Sequence, residues 1–258
     1  MHCLRSALIM LLLFMFAVSS PAQEKHTTVS KAQQITDVDT LALDVLRAVT
    51  EPVEKAQDFS FKALVSEDEI ATNGQLVTFF HTVDVTVHRP DKVHLIFRGR
   101  GERVDFYGSN GSIVMYAPDT KLYATIPAKA TIDDNLTELA SKGVDMPIGP
   151  FLSRNLYQLA SKNLLTGYVI GRVKVFDQDV HQLAFTAPDA DWQLWVTGGD
   201  TPRIVRVELV NKKLEGKPRT VVQFLDWNLS PAISEGEFNF TKPADATQIK
   251  LLQGIGGR

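Results

Sequence analysis

The chain has 258 residues with 27 basic and 30 acidic side chains, a formal net charge of −3. This balance argues against a nucleic-acid binder, because such proteins carry clustered Lys and Arg. The one basic group, Lys212, Lys213, Lys217 and Arg219, falls in a single loop with the composition of a solvated turn. The only cysteine is Cys3, so the chain beyond its first residues has neither a disulfide nor a cysteine nucleophile.

The first residues have the pattern of an export signal. Arg5 provides a positive charge, and an apolar run follows over residues 7–18. Ser20 and Ala22 are small residues at the −3 and −1 positions of a signal-peptidase site, which predicts cleavage after Ala22. The run is shorter than the ~20 apolar residues of a membrane-spanning helix, and an uncleaved anchor is the alternative. We therefore expect export to the periplasm and a mature chain of 236 residues (258 − 22).

A polar segment and an amphipathic helix come next. Residues 23–36 lack periodicity and are predicted to be a flexible lead-in. Asp37 or Asp39 can cap the helix, and Pro52 is predicted to end or kink it. The residues that recur at helical spacing are Val38, Leu41, Ala42, Val45, Leu46 and Val49.

From Phe59 the apolar period changes to two, which is typical of strands. Residues 77–88 show the clearest alternation of apolar and more polar side chains. Short turns join antiparallel neighbours, so the first half is predicted to be an antiparallel meander. Further strand-like segments bring the total to about ten or eleven, and they lie at 168–176, 180–187, 192–196, 203–210, 220–227 and 237–240.

Two short helices interrupt the strands in the middle of the chain. Asp133 or Asp134 can cap the first helix and Gly143 can end it, while Pro150 begins the second. Short helices punctuated by Pro and Gly make few contacts, so the segment around Leu136 to Ala160 is predicted to be a movable lid. A sheet of this size tends to curl. The helices then either fill its concave side as a solid core or cover an apolar chamber.

No motif of a known catalytic or metal site is present. The sequence lacks a nucleophile elbow, a phosphate-binding glycine loop and a zinc-protease motif. His81 and His88 are seven residues apart, which places them on opposite faces of one strand and disfavours a shared metal. His94 with His88 across the turn, near Asp84, is the remaining zinc candidate, and surface histidines are the ordinary interpretation. We expect neither an enzyme nor a cofactor.

The order of elements resembles the LolA/LolB-like superfamily of periplasmic outer-membrane lipoprotein carriers and receptors. The shared features are an export signal, an amphipathic helix, a meander, a helical insert, more strands and a closing segment. That segment, Phe238-Asn239-Phe240 followed by Pro243 and small residues to Ala246, is similar to the superfamily's phenylalanine-x-phenylalanine end. From Asp39-Thr40-Leu41 to the last strand, the chain is similar to a predicted periplasmic family of uncharacterised function within the superfamily.

The resemblance implies a mainly β (α+β) fold, an unclosed curved β-barrel with a helical lid, formed by residues 37–258 as one domain. Characterised members bind acyl chains of lipoproteins, and a related sensor module acts on an envelope-stress anti-sigma factor. The resemblance also implies an arginine that locks the lid. Arg154 in the second insert helix is the candidate by location, and a solvated helical arginine is the alternative.

We therefore predict a monomeric periplasmic carrier for a hydrophobic or acylated ligand, with transient membrane contact at most and envelope proteins or lipoproteins as further candidate partners. The alternative is a non-enzymatic sensor or scaffold that binds a protein. Ligand affinity would come from chain burial at ~0.8 kcal/mol per CH₂. The expected lining residues are Val83, Val85, Leu95, Phe97, Phe106 and Leu183 on strands, and Leu139, Phe151, Leu152 and Leu156 on the lid.

Overall fold

The computed structural model describes residues 37–141 and 146–250. The predicted export signal, the lead-in and Gly143 lie outside these residues. The described helices are α1 (Thr40–Lys55), α2 (Ile132–Ser141), a 3₁₀ helix (Gly149–Leu152) and α3 (Leu156–Ser161). The strands are β1 (Asp37–Val38), β2 (Asp58–Ile70), β3 (Leu76–His88), β4 (Lys92–Gly99), β5 (Glu102–Ser109), β6 (Ser112–Ala117), β7 (Leu122–Pro127), β8 (Thr166–Val175), β9 (Gln178–Thr186), β10 (Ala190–Thr197), β11 (Ile204–Asn211), β12 (Arg219–Asn228) and β13 (Thr247–Gln248).

These strands form one curved sheet that does not close. Its order is β1-β8-β9-β10-β11-β12-β2-β3-β4-β5-β6-β7-β13. Neighbours are antiparallel except at the two ends, where β1 and β13 run parallel to β8 and β7. The mainly β, unclosed architecture with helices is therefore confirmed. The eleven longer strands match the predicted number, and the two end strands have two residues each.

The order of the strands determines where the helical insert must run. β7 and β8 are consecutive in the chain, yet they lie next to opposite ends of the sheet. The connection between them therefore has to cross the open side of the sheet. α2, the 3₁₀ helix and α3 all belong to this connection, and we call these three elements the lid.

One face of the sheet, here called the inner face, packs against the helices. It begins with Phe59, Phe61, Ala63 and Val65 of β2, which alternate with more exposed residues as a period of two requires. The helix α1 contributes one buried stripe, formed by Ala42, Leu46, Val49 and Val53. Strands, α1 and lid share a single buried apolar cluster.

The helix α1 begins as predicted and ends later than Pro52. Oδ1 of Asp39 accepts a hydrogen bond from the N–H of Leu41 at 2.9 Å, which caps the first turn. The helix then continues through Pro52 to Lys55, and the N–H of Ala56 bonds to the carbonyl of Pro52. The turn beyond Pro52 persists because Val53 buries its side chain in the core.

The predicted strand at 237–240 is wrong, because this segment forms turns and lies on the outer face of the sheet. Phe238 is buried there, and the Phe240 ring lies 5.3–5.7 Å from three tyrosine rings. Aromatic burial against side chains, rather than pairing with a strand edge, therefore holds the segment. The three tyrosines are Tyr107, Tyr116 and Tyr123.

We predict that Phe61→Ala destabilises the fold strongly. Phe61 is 3% exposed, and its ring lies 5.3 Å from Phe224 and 4.7 Å from Trp227. Removing a buried aromatic side chain lowers the free energy of unfolding by about 3–5 kcal/mol. Leu225→Ala is the control, because Leu225 is 54% exposed and its loss changes stability by about 0.5 kcal/mol. Urea denaturation measures both, and equal effects would contradict the assignment of the core.

Candidate functional site

The structure brings nine of the ten predicted lining residues together. Seven are buried in the central cluster, and Phe97 and Phe106 are half-buried and pack against it. Leu139 of α2 is half-buried and is not part of this cluster. The seven buried residues are Val83, Val85, Leu95, Phe151, Leu152, Leu156 and Leu183.

The inner face is sealed on one side and partly uncovered on the other. On β2, β3, β9 and β10 its apolar residues are buried under α1, α3 and the 3₁₀ helix. On β4 to β7 most of them are only partly buried. The register places these residues side by side across four strands. We call this surface the β4–β7 trough, and it consists of Phe97, Val104, Phe106, Ile113, Met115 and Ile126.

A small cavity lies at the sealed side, between the last turns of α1 and the ends of β11 and β12. Its volume is about 10 Å³, enough for about one water molecule. Val49 and Val53 line it from α1, and Ile204, Trp227 and Leu229 line it from the sheet. Protein side chains thus occupy most of the space beneath α1.

One arginine joins the sheet, α1 and the lid. Arg89 follows β3 and is 1% exposed. Its Nη1 donates to the carbonyls of Val53 and Ala56 at 2.9 and 2.7 Å, at the end of α1. Its Nη2 donates to the carbonyls of Leu152 and Ser153 at 2.9 and 3.1 Å, at the end of the 3₁₀ helix. A single guanidinium therefore closes two helix ends that would otherwise present unpaired carbonyls.

The environment of Arg89 disfavours its charge and compensates for it locally. Burial, followed by the positive charge of Arg154, lowers the pKa of Arg89 to about 10, against opposing effects of Asp133 and Glu54. Arg89 remains charged at neutral pH. The carbonyl ends of helices carry partial negative charge, and the Phe59 ring lies 4.6 Å from the guanidinium carbon. These groups replace the water that a buried cation loses.

The contacts of Arg154 do not support its predicted role as the residue that locks the lid. Arg154 is exposed, and its side chain reaches Gln57 Oε1 at 3.1 Å and the carbonyl of Glu54 at 3.5 Å. Arg154 therefore connects the lid to the end of α1 at the protein surface. Arg89 occupies the interior position, and sequence reasoning missed it because Arg89-Pro90 has the composition of an ordinary turn.

A signal for Arg89 was nevertheless present in the sequence. Val83, Val85 and Val87 alternate onto the inner face, and Arg89 is the next residue of that series. An arginine that continues an apolar face is typical of a buried polar contact. The period of two thus carried the information, although the following proline indicated that the strand had ended.

A second contact ties α2 to the rest of the lid. Oδ1 of Asp133 accepts hydrogen bonds from the Ser153 hydroxyl at 2.5 Å and from the N–H of Arg154 at 3.1 Å. Capping of α2 is provided instead by Thr131, whose hydroxyl oxygen accepts from the N–H of Asp134 at 3.0 Å. Asp133 therefore connects two lid elements, in addition to placing an acidic group in the first turn of α2.

The histidines of β3 lie on opposite faces, as their spacing predicts. His81 is on the inner face, 3.6 Å from Glu67 Oε2, and burial lowers its pKa from the usual 6.5. His88 contacts Asp58 Oδ1 at 2.6 Å, and His94 contacts Glu237 Oε1 at 3.0 Å. Among the described residues, no three His, Cys, Asp or Glu side chains converge to hold a metal ion.

The chain belongs to the family described as predicted periplasmic protein (DUF2092), whose model matches residues 42–252. No curated protein matches the sequence. Within residues 37–141 and 146–250, none of the helices is long and apolar enough to cross a bilayer.

Solved structures of three proteins are similar to this chain. LprF from Mycobacterium bovis has 12% sequence identity and a TM-score of 0.50, over 82% of this chain and 100% of LprF. The lipoprotein LppX from Mycobacterium tuberculosis has 13% identity and a TM-score of 0.49, over 76% and 98%. A LolA superfamily protein from Nitrosomonas europaea has 12% identity and a TM-score of 0.30, over 76% and 96%. At 12% identity the likeness to LprF concerns the fold alone.

We predict that Arg89→Met loosens the contact between α1 and the lid. The substitution leaves three buried carbonyls and one partly buried carbonyl without this donor, and it lowers the free energy of unfolding by about 3 kcal/mol or more. Arg89→Lys keeps the charge but loses the planar fork of donors, so an intermediate loss is expected. Arg154→Met is the matched control, with a loss below about 1 kcal/mol because Arg154 is exposed. Similar losses for Met at 89 and at 154 would refute the assignment.

We predict that His81 makes the fold less stable in mild acid. The unfolded chain takes up a proton on His81 near pH 6.5, whereas the folded chain resists protonation because burial lowers that pKa. The contribution of His81 is thus complete above pH 6.5 and is lost as the pH falls towards the lower folded pKa. Urea denaturation at about pH 7.5 and 5.5 should give a smaller difference for His81→Gln than for the unmodified protein. An identical difference would contradict the buried, neutral state of His81.

Proposed function

We propose that the protein is a periplasmic carrier for a hydrophobic ligand, such as a lipid, an acyl chain or a lipoprotein, held between the inner face and the helices. The observation that carries the proposal is the way the cover is attached. A largely apolar sheet face is spanned by short helices, and Arg89 fixes them through main-chain carbonyls. The predicted export signal and the periplasmic description of the family support the location.

A comparison of the free energy of the Arg89 hydrogen bonds with that of burying the guest's CH₂ groups favours a long-chain guest. Four hydrogen bonds to a charged group contribute about 2 kcal/mol each, or about 8 kcal/mol in total. Burial of roughly ten CH₂ groups at ~0.8 kcal/mol each contributes a similar amount. Burial of a long acyl chain is therefore comparable in magnitude to the complete Arg89 contact, and a shorter chain gains proportionately less.

The second candidate is a sensor or scaffold that binds a protein partner. The sealed side of the inner face favours it, because Phe59, Val65 and Leu183 are already covered by the protein's own side chains. A protein partner needs no chamber and would use an external surface. Both candidates are non-enzymatic, and uptake of an apolar probe distinguishes them.

We predict that the protein, expressed with its own export signal and purified from the periplasm, carries a lipid or acylated molecule. Native mass spectrometry followed by organic extraction identifies such a guest. The delipidated protein should then bind dansyl-labelled undecanoic acid with enhanced fluorescence. An unrelated periplasmic protein purified in parallel controls for carry-over. Empty protein that also fails to bind the probe would refute the carrier and leave the partner-binding alternative.

A further inference from the structure

We infer that residues 237–249 form a strap across the outer face of the sheet, and that this strap stabilises β5, β6 and β7 in place of a core. Release of the strap then lets these three strands loosen as one unit, while the part of the sheet that packs against α1 stays folded. This device belongs to the sheet itself and is independent of the proposed function.

The strap contacts five neighbouring strands, β3 to β7. At its start, Oε1 of Glu237 lies 3.0 Å from Nδ1 of His94 on β4, and the Phe238 ring lies 6.4 Å from the ring of His88 on β3. The carbonyl of Phe238 accepts a hydrogen bond from the Ser109 hydroxyl of β5 at 3.3 Å. The first two residues of the strap are therefore attached to three strands.

Phe240 is the central anchor of the strap. Its ring lies 5.7 Å from the ring of Tyr107 on β5, 5.3 Å from that of Tyr116 on β6 and 5.3 Å from that of Tyr123 on β7. Aromatic rings at these distances attract one another beyond the effect of burial alone. One phenylalanine therefore joins three adjacent strands on the face that α1 and the lid do not reach.

The end of the strap is fixed to β7 through its main chain. The N–H of Thr247 donates to the carbonyl of Lys121 at 2.9 Å, and the N–H of Ile249 donates to the carbonyl of Tyr123 at 2.8 Å, around the short parallel pairing of β13 with β7. Asp245 also pairs with Lys121 at 2.5 Å. Both of these side chains are exposed, so the ion pair adds little and the main-chain bonds carry the attachment.

The strands β5, β6 and β7 bury little apolar surface on the inner face. Within these three strands, which the structure describes in full, Ala124 is the one residue with a buried apolar side chain. The single strand β2, by contrast, buries Phe59, Phe61, Ala63 and Val65 in the central cluster. Strands without such burial need stabilising contacts from elsewhere, and the strap supplies them from the outer face.

The distribution of buried residues makes β5 to β7 separable from the rest of the sheet. Phe106 packs against the central cluster, and none of the residues described in these three strands belongs to its buried part. In the order of the sheet they join the other strands only through the pairing of β5 with β4. Regions with few buried apolar contacts open at a lower cost in free energy than the core does. Because the strap stabilises these strands from behind, their inner face can remain only partly buried.

The strap is tested by Phe240→Ala and hydrogen exchange measured by mass spectrometry. Amides of β5, β6 and β7 should exchange at least about tenfold faster in the variant, because their opening no longer breaks the aromatic contacts. Amides of α1, β2 and β9 to β12 should keep their rates. Phe80→Ala is the matched control, since Phe80 is an aromatic residue of β3 that is 59% exposed, and its loss should change neither set of rates.

Tryptophan fluorescence gives a second measurement on the same variants. The three tryptophans, Trp192 and Trp195 on β10 and Trp227 on β12, all lie outside β5 to β7. Their transition in urea therefore reports the other part of the sheet, and its midpoint should stay nearly unchanged in Phe240→Ala. Phe240→Leu keeps an apolar side chain without the ring, so exchange in β5 to β7 should be intermediate.

Three outcomes would overturn the inference. Unchanged exchange in β5 to β7 would mean that the strap does not hold these strands. Equal acceleration across the whole sheet, together with a lower tryptophan midpoint, would mean that the domain opens as a single unit. A Phe240→Ala variant that does not fold at all would also contradict the inference, because the part that packs against α1 is expected to remain folded without the strap.

Discussion

The chain leaves the sheet at β7 and returns to it at β8, two strands that lie next to opposite ends of the same unclosed sheet. Any connection between them must pass over the open side, so a cover of the inner face follows from the topology. Arg89 lies after β3, near the middle of the span, and holds that connection against α1. The placement of the lid, the burial of the inner face and the candidate site all depend on this crossing.

Apolar packing and directional hydrogen bonding have different parts in this arrangement. Burial of side chains such as Leu152 and Leu156 supplies attraction, but it is non-directional and defines position poorly. The guanidinium of Arg89 presents donors in a fixed plane, so it specifies where two helix ends sit relative to the sheet. The cost of burying the cation is reduced by the helix carbonyls and the Phe59 ring. The cover is therefore positioned by one polar group and held by many apolar ones.

Much of the fold could be predicted from local patterns. The alternation in β3 predicted the strand and its faces correctly, and the stripe of α1 predicted the helix and most of its buried face, because each pattern reflects burial in its own element. Two members of that stripe differ, since Leu41 is 57% exposed and Val38 lies in β1 before the helix begins. The predictions failed where tertiary contacts determine the conformation of a segment or the role of a residue. Residues 237–240 alternate like a strand, yet Phe240 inserts among tyrosines of the outer face. Arg154 was selected by location, whereas Arg89 could be found only by continuing the inner-face series past Val87. The distinction between the sealed side and the trough depends on how α1 crosses the sheet, which no local pattern contains.

The four acceptors of Arg89 are main-chain oxygens, and this has an implication for how such a protein can change. A carbonyl is present at every residue, so side chains at Val53, Ala56, Leu152 and Ser153 can be replaced without removing the groups that Arg89 binds. In the proposed carrier, the attachment of the cover and the choice of guest would therefore depend on different atoms. Side chains of the inner face could then change without removing the attachment, as long as Arg89 is kept.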